Sequence, residues 1–133
     1  MKHIFDSSAI FKAIKENKIE VLTGNYTIEL ARYEIGNILW KKYALQRKAT
    51  SQELKNLTKL TKDTLNIMEI LQISCHEEEI LNTATKLKLT FYDASYTFYA
   101  KAEELMLITE DTELLKKATS YTKASKLDDI LQK

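Results

Sequence analysis

Short apolar runs alternate along the chain with longer stretches in which apolar residues recur every three or four positions. His3-Ile4-Phe5 is the first run; it ends at Asp6 and reads as a buried strand. Ser7 or Ser8 is placed to cap a short helix carrying Ile10, Phe11 and Ile14. Residues 19 to 22 form a second strand candidate, closed by Gly24-Asn25. A long helix over residues 27 to 47 is predicted from the spacing of Ile28, Ala31, Ile35, Ile38 and Leu39. Thr50 and Glu53 have the spacing of a capping box and open the next helix, through Leu54, Leu57, Leu60, Leu65 and Met68. Residues 70 to 73 read as a strand. Ser74 and Glu77, then Thr90 and Asp93, repeat the capping-box spacing before two more helices, the second running from 92 to 105. Residues 106 to 109 form another strand that ends at Glu110 and Asp111. Leu114, Leu115 and Ala118 mark a helix, and a last short strand falls near residues 123 to 127.

Strands alternating with helices predict an α/β fold, a central parallel sheet with helices on both faces. No repeat, linker or low-complexity run divides the chain, so residues 1–133 are expected to form one domain. In parallel sheets of this kind, ligands bind beyond the carboxyl ends of the strands. Asp6 and Asp111 stand at such ends.

Composition narrows the function classes. The single cysteine, Cys75, has no intramolecular partner, and the first residues meet an acid before any apolar run develops. No stretch reaches the roughly 18 apolar residues of a membrane span. A cytoplasmic location and no membrane partner are therefore expected. The formal net charge is +1, from 20 basic against 19 acidic residues, so nucleic acid would be held by local patches rather than by the field of the whole molecule.

Two further acids stand among apolar helical neighbours: Glu34 in Tyr33-Glu34-Ile35-Gly36-Asn37 and Asp93 in Phe91-Tyr92-Asp93-Ala94-Ser95. A carboxylate in such surroundings is costly unless it is paired or binds a cation. Gly36 costs its helix about 1 kcal/mol relative to alanine, which suggests close approach of another backbone. Four carboxylates from separate segments suit Mg²⁺ or Mn²⁺, which prefer oxygen ligands. A pair of such ions about 3.5–4 Å apart can activate water and stabilise the leaving oxygen of a phosphodiester. Each acid also has a plainer reading: Asp6 and Asp111 are good helix N-caps, Asp93 suits a helix N-terminus, and most glutamates are exposed.

The ordered motifs Phe5-Asp6-Ser7-Ser8-Ala9-Ile10, Tyr33-Glu34-Ile35-Gly36-Asn37-Ile38-Leu39, Tyr92-Asp93-Ala94-Ser95-Tyr96 and Leu107-Ile108-Thr109-Glu110-Asp111-Thr112-Glu113-Leu114 span nearly the whole chain. With them the chain resembles the PIN-domain nucleases, and within them the VapC-type toxin ribonucleases. The resemblance implies an α/β/α sandwich, a Mg²⁺ or Mn²⁺ pocket formed by Asp6, Glu34, Asp93 and Asp111, and endonucleolytic cleavage of RNA by a metal-activated water. It implies that Ser7, Thr109 and Glu113 support the pocket. It further implies a small antitoxin protein as partner, and a homodimer.

Glu110 is expected to face away from the pocket, because neighbours in an extended segment point to opposite sides. His3 reads as a strand residue, and Cys75-His76 lacks the second pair that a zinc site needs. Trp40, Tyr33, Tyr43, Tyr96 and Tyr99 read as core or subunit interface. Lys41, Lys42 and Arg47 are candidates for RNA phosphate contacts, against the plainer reading of a solvated helix face. Two other functions compete: a receiver-like phosphoryl-transfer domain, which also sets Asp at strand ends, and a non-catalytic PIN-like domain that only binds.

Overall fold

In the computed structural model, which describes residues 2–131, alternation along three-residue strands decides which side chains meet which layer. Strand β1 is His3–Phe5, β2 Tyr26–Ile28, β3 Glu69–Leu71, β4 Met106–Ile108 and β5 the short Ala124–Ser125. All pairings are parallel, in the order β3-β2-β1-β4-β5. Register fixes the faces: Ile4 lies opposite Leu107, and Phe5 opposite Ile108.

Phe5 and Ile108 face one hydrophobic layer, built with Ile10, Ile14, Ala31, Ile35, Leu65 and Leu127. That layer is covered by α1 (Ser7–Lys15), α2 (Leu30–Trp40), α3 (Ser51–Asn66) and α7 (Leu127–Leu131). Ile4, Ile28 and Leu107 face the other, filled from α4 (Glu77–Leu87), α5 (Phe91–Ala102) and α6 (Thr112–Ala118). The result is the expected α/β/α sandwich. Among the described residues no helix is long and apolar enough to cross a membrane.

Several elements depart from the sequence reading. Residues Ile19–Leu22 form a 3-10 turn rather than a strand. The aromatic and β-branched run Tyr26–Ile28 takes the sheet position instead, with Thr27 Oγ1 donating to the Phe5 carbonyl at 2.8 Å. The long helix consequently starts at Leu30 and ends at Trp40, and Lys41–Leu45 continues as a wider π turn. Thr50 and Glu53 do form a capping box, but Ser74 and Glu77 do not: His76 precedes α4 without a side-chain cap. Thr90 caps α5 through the Asp93 backbone N–H alone. Gly36 is exposed, and a Cβ built there would meet nothing within 4 Å, so no backbone approaches it.

The strand order places the site. From β1 the chain works outward through β2 to β3, then crosses back to β4 and β5 on the other side. The crevice between β1 and β4, beyond their carboxyl ends, is the switch point where such sheets accept ligands. Asp6 leaves β1 there, and Thr109 to Asp111 leave β4.

Candidate active site at the switch point of the sheet

Asp6 both caps α1 and faces the crevice. Its Oδ1 accepts the Ala9 backbone N–H at 3.0 Å and the Ser8 hydroxyl at 2.6 Å. Its Oδ2 accepts the Thr109 hydroxyl. The carboxyl is 5% exposed, and burial pushes its pKa up to about 6. The Ser8, Thr109 and Ala9 bonds pull the other way, and the charge of Asp93 adds to the rise. Desolvation therefore outweighs three hydrogen bonds that favour the anion.

Thr109 joins the ends of two strands. While donating to Asp6, its hydroxyl accepts the Asp111 backbone N–H at 3.1 Å. Ser8 does similar work one step away, accepting the Glu110 backbone N–H at 2.9 Å. Thr109 is fully buried, so its loss would leave the Asp6 and Asp111 groups without these partners. Thr109→Val is expected to cost about 1–3 kcal/mol of stability in denaturant unfolding, with Thr109→Ser close to the parent. A valine variant as stable as the parent would show that the bridge contributes nothing.

Asp93, in the first turn of α5, is only partly buried. Its pKa is pushed up to about 6, first by burial, then by the charges of Asp111 and Glu34; Lys117 opposes the rise. Glu34, half-buried on α2, accepts the Tyr96 hydroxyl at 2.8 Å. Tyr96 is 1% exposed, and its hydroxyl is held strongly towards the neutral form by burial and by Glu34. Asp111 is exposed and caps α6, accepting the backbone N–H groups of Glu113 at 3.0 Å and Leu114 at 3.1 Å. Asp6 and Asp93, Asp93 and Asp111, and Asp93 and Glu34 thus act on one another's charge. The four acids, drawn from four segments, form one electrostatic neighbourhood.

The supporting residues distribute differently from expectation. Ser8, rather than Ser7, carries the hydroxyl bond to Asp6, while the Ser7 backbone bonds to the Tyr96 hydroxyl. The Glu113 side chain is exposed and pairs with Lys117 at 3.3 Å, while its backbone N–H donates to Asp111. Lys117 has no role in the sequence reading, where Ser8 reads as a helix cap and Tyr96 as core or interface; the structure sets all three beside the acids. The spacing of Lys117 to Glu113 and the helical register of Tyr96 beside Asp93 were the available signals. Glu110 turns away as expected: it pairs with Lys12 at 3.1 Å and accepts the Leu127 backbone N–H at 2.8 Å. Lys41 and Arg47 are exposed, and Arg47 lines a separate hollow with Tyr43, Ala44 and Ser51.

A parallel sandwich whose switch point gathers acids from the ends of β1 and β4 and from two helices is the architecture of a nuclease class. The chain belongs to the PIN domain family, whose profile matches residues 3–119. Exonuclease VapC9 from Pyrobaculum aerophilum is 33% identical over 125 residues, covering 88% of this chain and 86% of that protein, which supports a VapC-type nuclease. The crystal structure of PAE2754 from Pyrobaculum aerophilum superposes with a TM-score of 0.79 at 30% identity, over 99% of this chain and 95% of that one. The receiver-like alternative falls with the family assignment.

Proposed function

We propose that this chain is a divalent-metal-dependent endoribonuclease, the toxin of a toxin–antitoxin pair, with Asp6, Glu34, Asp93 and Asp111 as its metal-holding acids. The observation that carries the reading is the mutual repulsion of carboxylates from four segments at the switch point, with Lys117 as the cation opposing it at Asp93. Such an arrangement costs stability in the free protein and is relieved by a cation.

The donor set fits a hard ion. All four groups are carboxylates, which suit Mg²⁺ or Mn²⁺. Among the described residues no three Asp, Glu, His or Cys side chains are already gathered into a cage. Mg²⁺ does not demand one, since it keeps several waters and binds through one or two carboxylates. When bound, such an ion supplies a water activated for attack and neutralises charge on the leaving oxygen. The chain's own residues prepare the site: Ser8 and Thr109 fix the rotamer of Asp6, Tyr96 orients Glu34, and the Glu113–Lys117 pair limits the negative charge near Asp93.

An antitoxin partner is part of the same proposal, supported by likeness to a VapC protein. So is a homodimer. The apolar surface beside the pocket, where Tyr33 is 72% and Tyr92 60% exposed, would favour association if buried. A cytoplasmic location belongs to the same proposal.

The VapC9 relative is named an exonuclease, so the mode of cutting needs its own test. A circular single-stranded RNA has no end. The protein is expected to linearise it in Mn²⁺ and to stop when the ion is chelated. Degradation of the linear RNA with the circle left intact would replace the endonuclease reading by an exonuclease one. Cleavage undiminished by chelation would overturn the metal assignment.

A further inference from the structure

Helix α1 leads from the acidic pocket to a cluster of lysines. Ser8, Phe11, Lys12 and Lys15 follow one another on one side of α1 and, with Glu16 and Glu110, line one shallow cleft. Phe11 and Lys15 also line a second cleft, with Lys42, Lys48 and Asn56. The two hollows share these residues, so they form one path from the residue that bonds Asp6 to the turn after α2.

The charges along this path differ in kind. Lys12 is neutralised, pairing with Glu110 at 3.1 Å, Asp128 at 3.2 Å and Glu16 at 3.9 Å. Among the described residues, Lys15, Lys42 and Lys48 make no ion pair with a carboxylate. The Lys15 and Lys42 ammonium groups instead lie 5.6 Å and 5.7 Å from the centroid of the same Phe11 ring. The ring face attracts each cation and so holds the two together against their repulsion. Lys15, in first place, then burial and Lys48, keep the Lys42 ammonium below the usual lysine range. Like charges gathered in a groove raise the local concentration of a polyanion. The first cleft starts at Ser8, whose hydroxyl bonds Asp6 of the site proposed to cut one.

We propose that Lys15, Lys42 and Lys48 form a phosphate-binding track for the single-stranded RNA backbone as it leaves the acidic pocket. This rests on the ribonuclease reading and names where the substrate lies. It retains Lys42 from the sequence candidates, and adds Lys15 and Lys48. Ser8 and Lys15 are separated by about 10 Å of helix rise at 1.5 Å per residue. The track therefore acts only on RNA that extends beyond the scissile bond by at least that length.

The test replaces Lys15, Lys42 and Lys48 with Gln in the full chain. A control carries Gln at Lys62, Lys86 and Lys101, which remove the same charge outside both clefts. On a 20-nucleotide single strand with Mn²⁺, the track variant is expected to raise KM roughly tenfold or more at low salt with kcat little changed. Its binding should lose about two from the slope of log affinity against log salt, at ~0.7 per phosphate. On a dinucleotide substrate, parent and variant should match. Lys48→Gln alone, at an exposed side chain, should remove about one phosphate's share of the slope, and stands in if the triple variant misfolds. Equal losses in the control, an unchanged slope, or the same defect on the dinucleotide would each overturn the track. So would retained RNA affinity with lost binding of an acidic protein partner. A parent that cuts no RNA would fail the ribonuclease reading itself, a separate result.

Discussion

Asp6→Asn is expected to abolish RNA cleavage, by at least a hundredfold, while the protein still folds and still binds RNA. The substitution preserves size and the cap of α1, because the amide oxygen can still accept the Ala9 N–H and the Ser8 hydroxyl. At the second oxygen an NH2 group would replace an acceptor. The Thr109 hydroxyl then has to turn from donor to acceptor, which its rotation allows. What disappears is one negative charge from a buried position, and an amide is a poorer ligand for a hard cation than a carboxylate. A hundredfold loss corresponds to about 2.7 kcal/mol of transition-state stabilisation. RNA binding should be retained or slightly improved, since negative charge beside a polyanion has been removed. Cleavage and binding measured on the same preparation decide the matter. A variant that cuts at the parental rate in Mn²⁺ removes Asp6 from the catalytic set.

The second large effect concerns pH and Asp93. An Asp carboxyl in an unfolded chain titrates near 3.9, whereas in the folded protein burial and the neighbouring acids push both Asp6 and Asp93 up to about 6. The folded state therefore holds these protons more tightly than the unfolded one. The associated stability is present below about pH 4, is lost as pH rises through about 6, and stays lost above it. For buried Asp6 a two-unit shift corresponds to at most about 3 kcal/mol. Asp93 is partly exposed, and solvent screening reduces its share to about 1 kcal/mol. The metal-free protein should therefore melt at a higher temperature near pH 5 than near pH 7. Asp93→Asn should recover roughly 1 kcal/mol at pH 7 and little at pH 4. The Thr90 cap survives this substitution, because it uses the Asp93 backbone. The helix N-terminus favours the carboxylate by about 0.3–1 kcal/mol, which trims the gain. Mn²⁺ should stabilise the parent at pH 7 more than the variant. If metal-free Asp93→Asn melts well below the parent at pH 7, the carboxylate stabilises its helix and the repulsive cluster is wrong.

These two residues also mark how far the sequence could be read. Strand ends and apolar helix faces picked out Asp6, Glu34, Asp93 and Asp111, because an acid that interrupts a strong apolar period is visible without coordinates. Capping and the proposed site chemistry are not rivals at Asp6 and Asp111, since each cap uses one carboxylate oxygen and leaves the second for other partners, as Thr109 shows at Asp6. Local propensity misled where tertiary contacts decide. Ile19–Leu22 has a strand composition, but β2 formed at Tyr26–Ile28, where Thr27 reaches the Phe5 carbonyl across the sheet. Ser74 to Glu77 had the spacing of a capping box without its geometry. Ser8 lies two residues from Asp6, but its tie to the Glu110 N–H spans 102 residues; Tyr96 meets Glu34 across 62 residues, and Lys117 acts on Asp93 from another helix, so no local window contains those partners.

Glu110 and Asp111 divide two tasks between adjacent carboxylates. Glu110 is a brace: through Lys12 and the Leu127 N–H it ties the segment after β4 to both α1 and α7. The Asp111 carboxylate, one residue on, is exposed and, among the described residues, accepts only from the N-terminus of its own helix. A carboxylate so placed can rotate towards an arriving cation without disturbing the sheet. In the proposed metal site, α7 thus supports the segment that carries Asp111 while contributing no acid of its own.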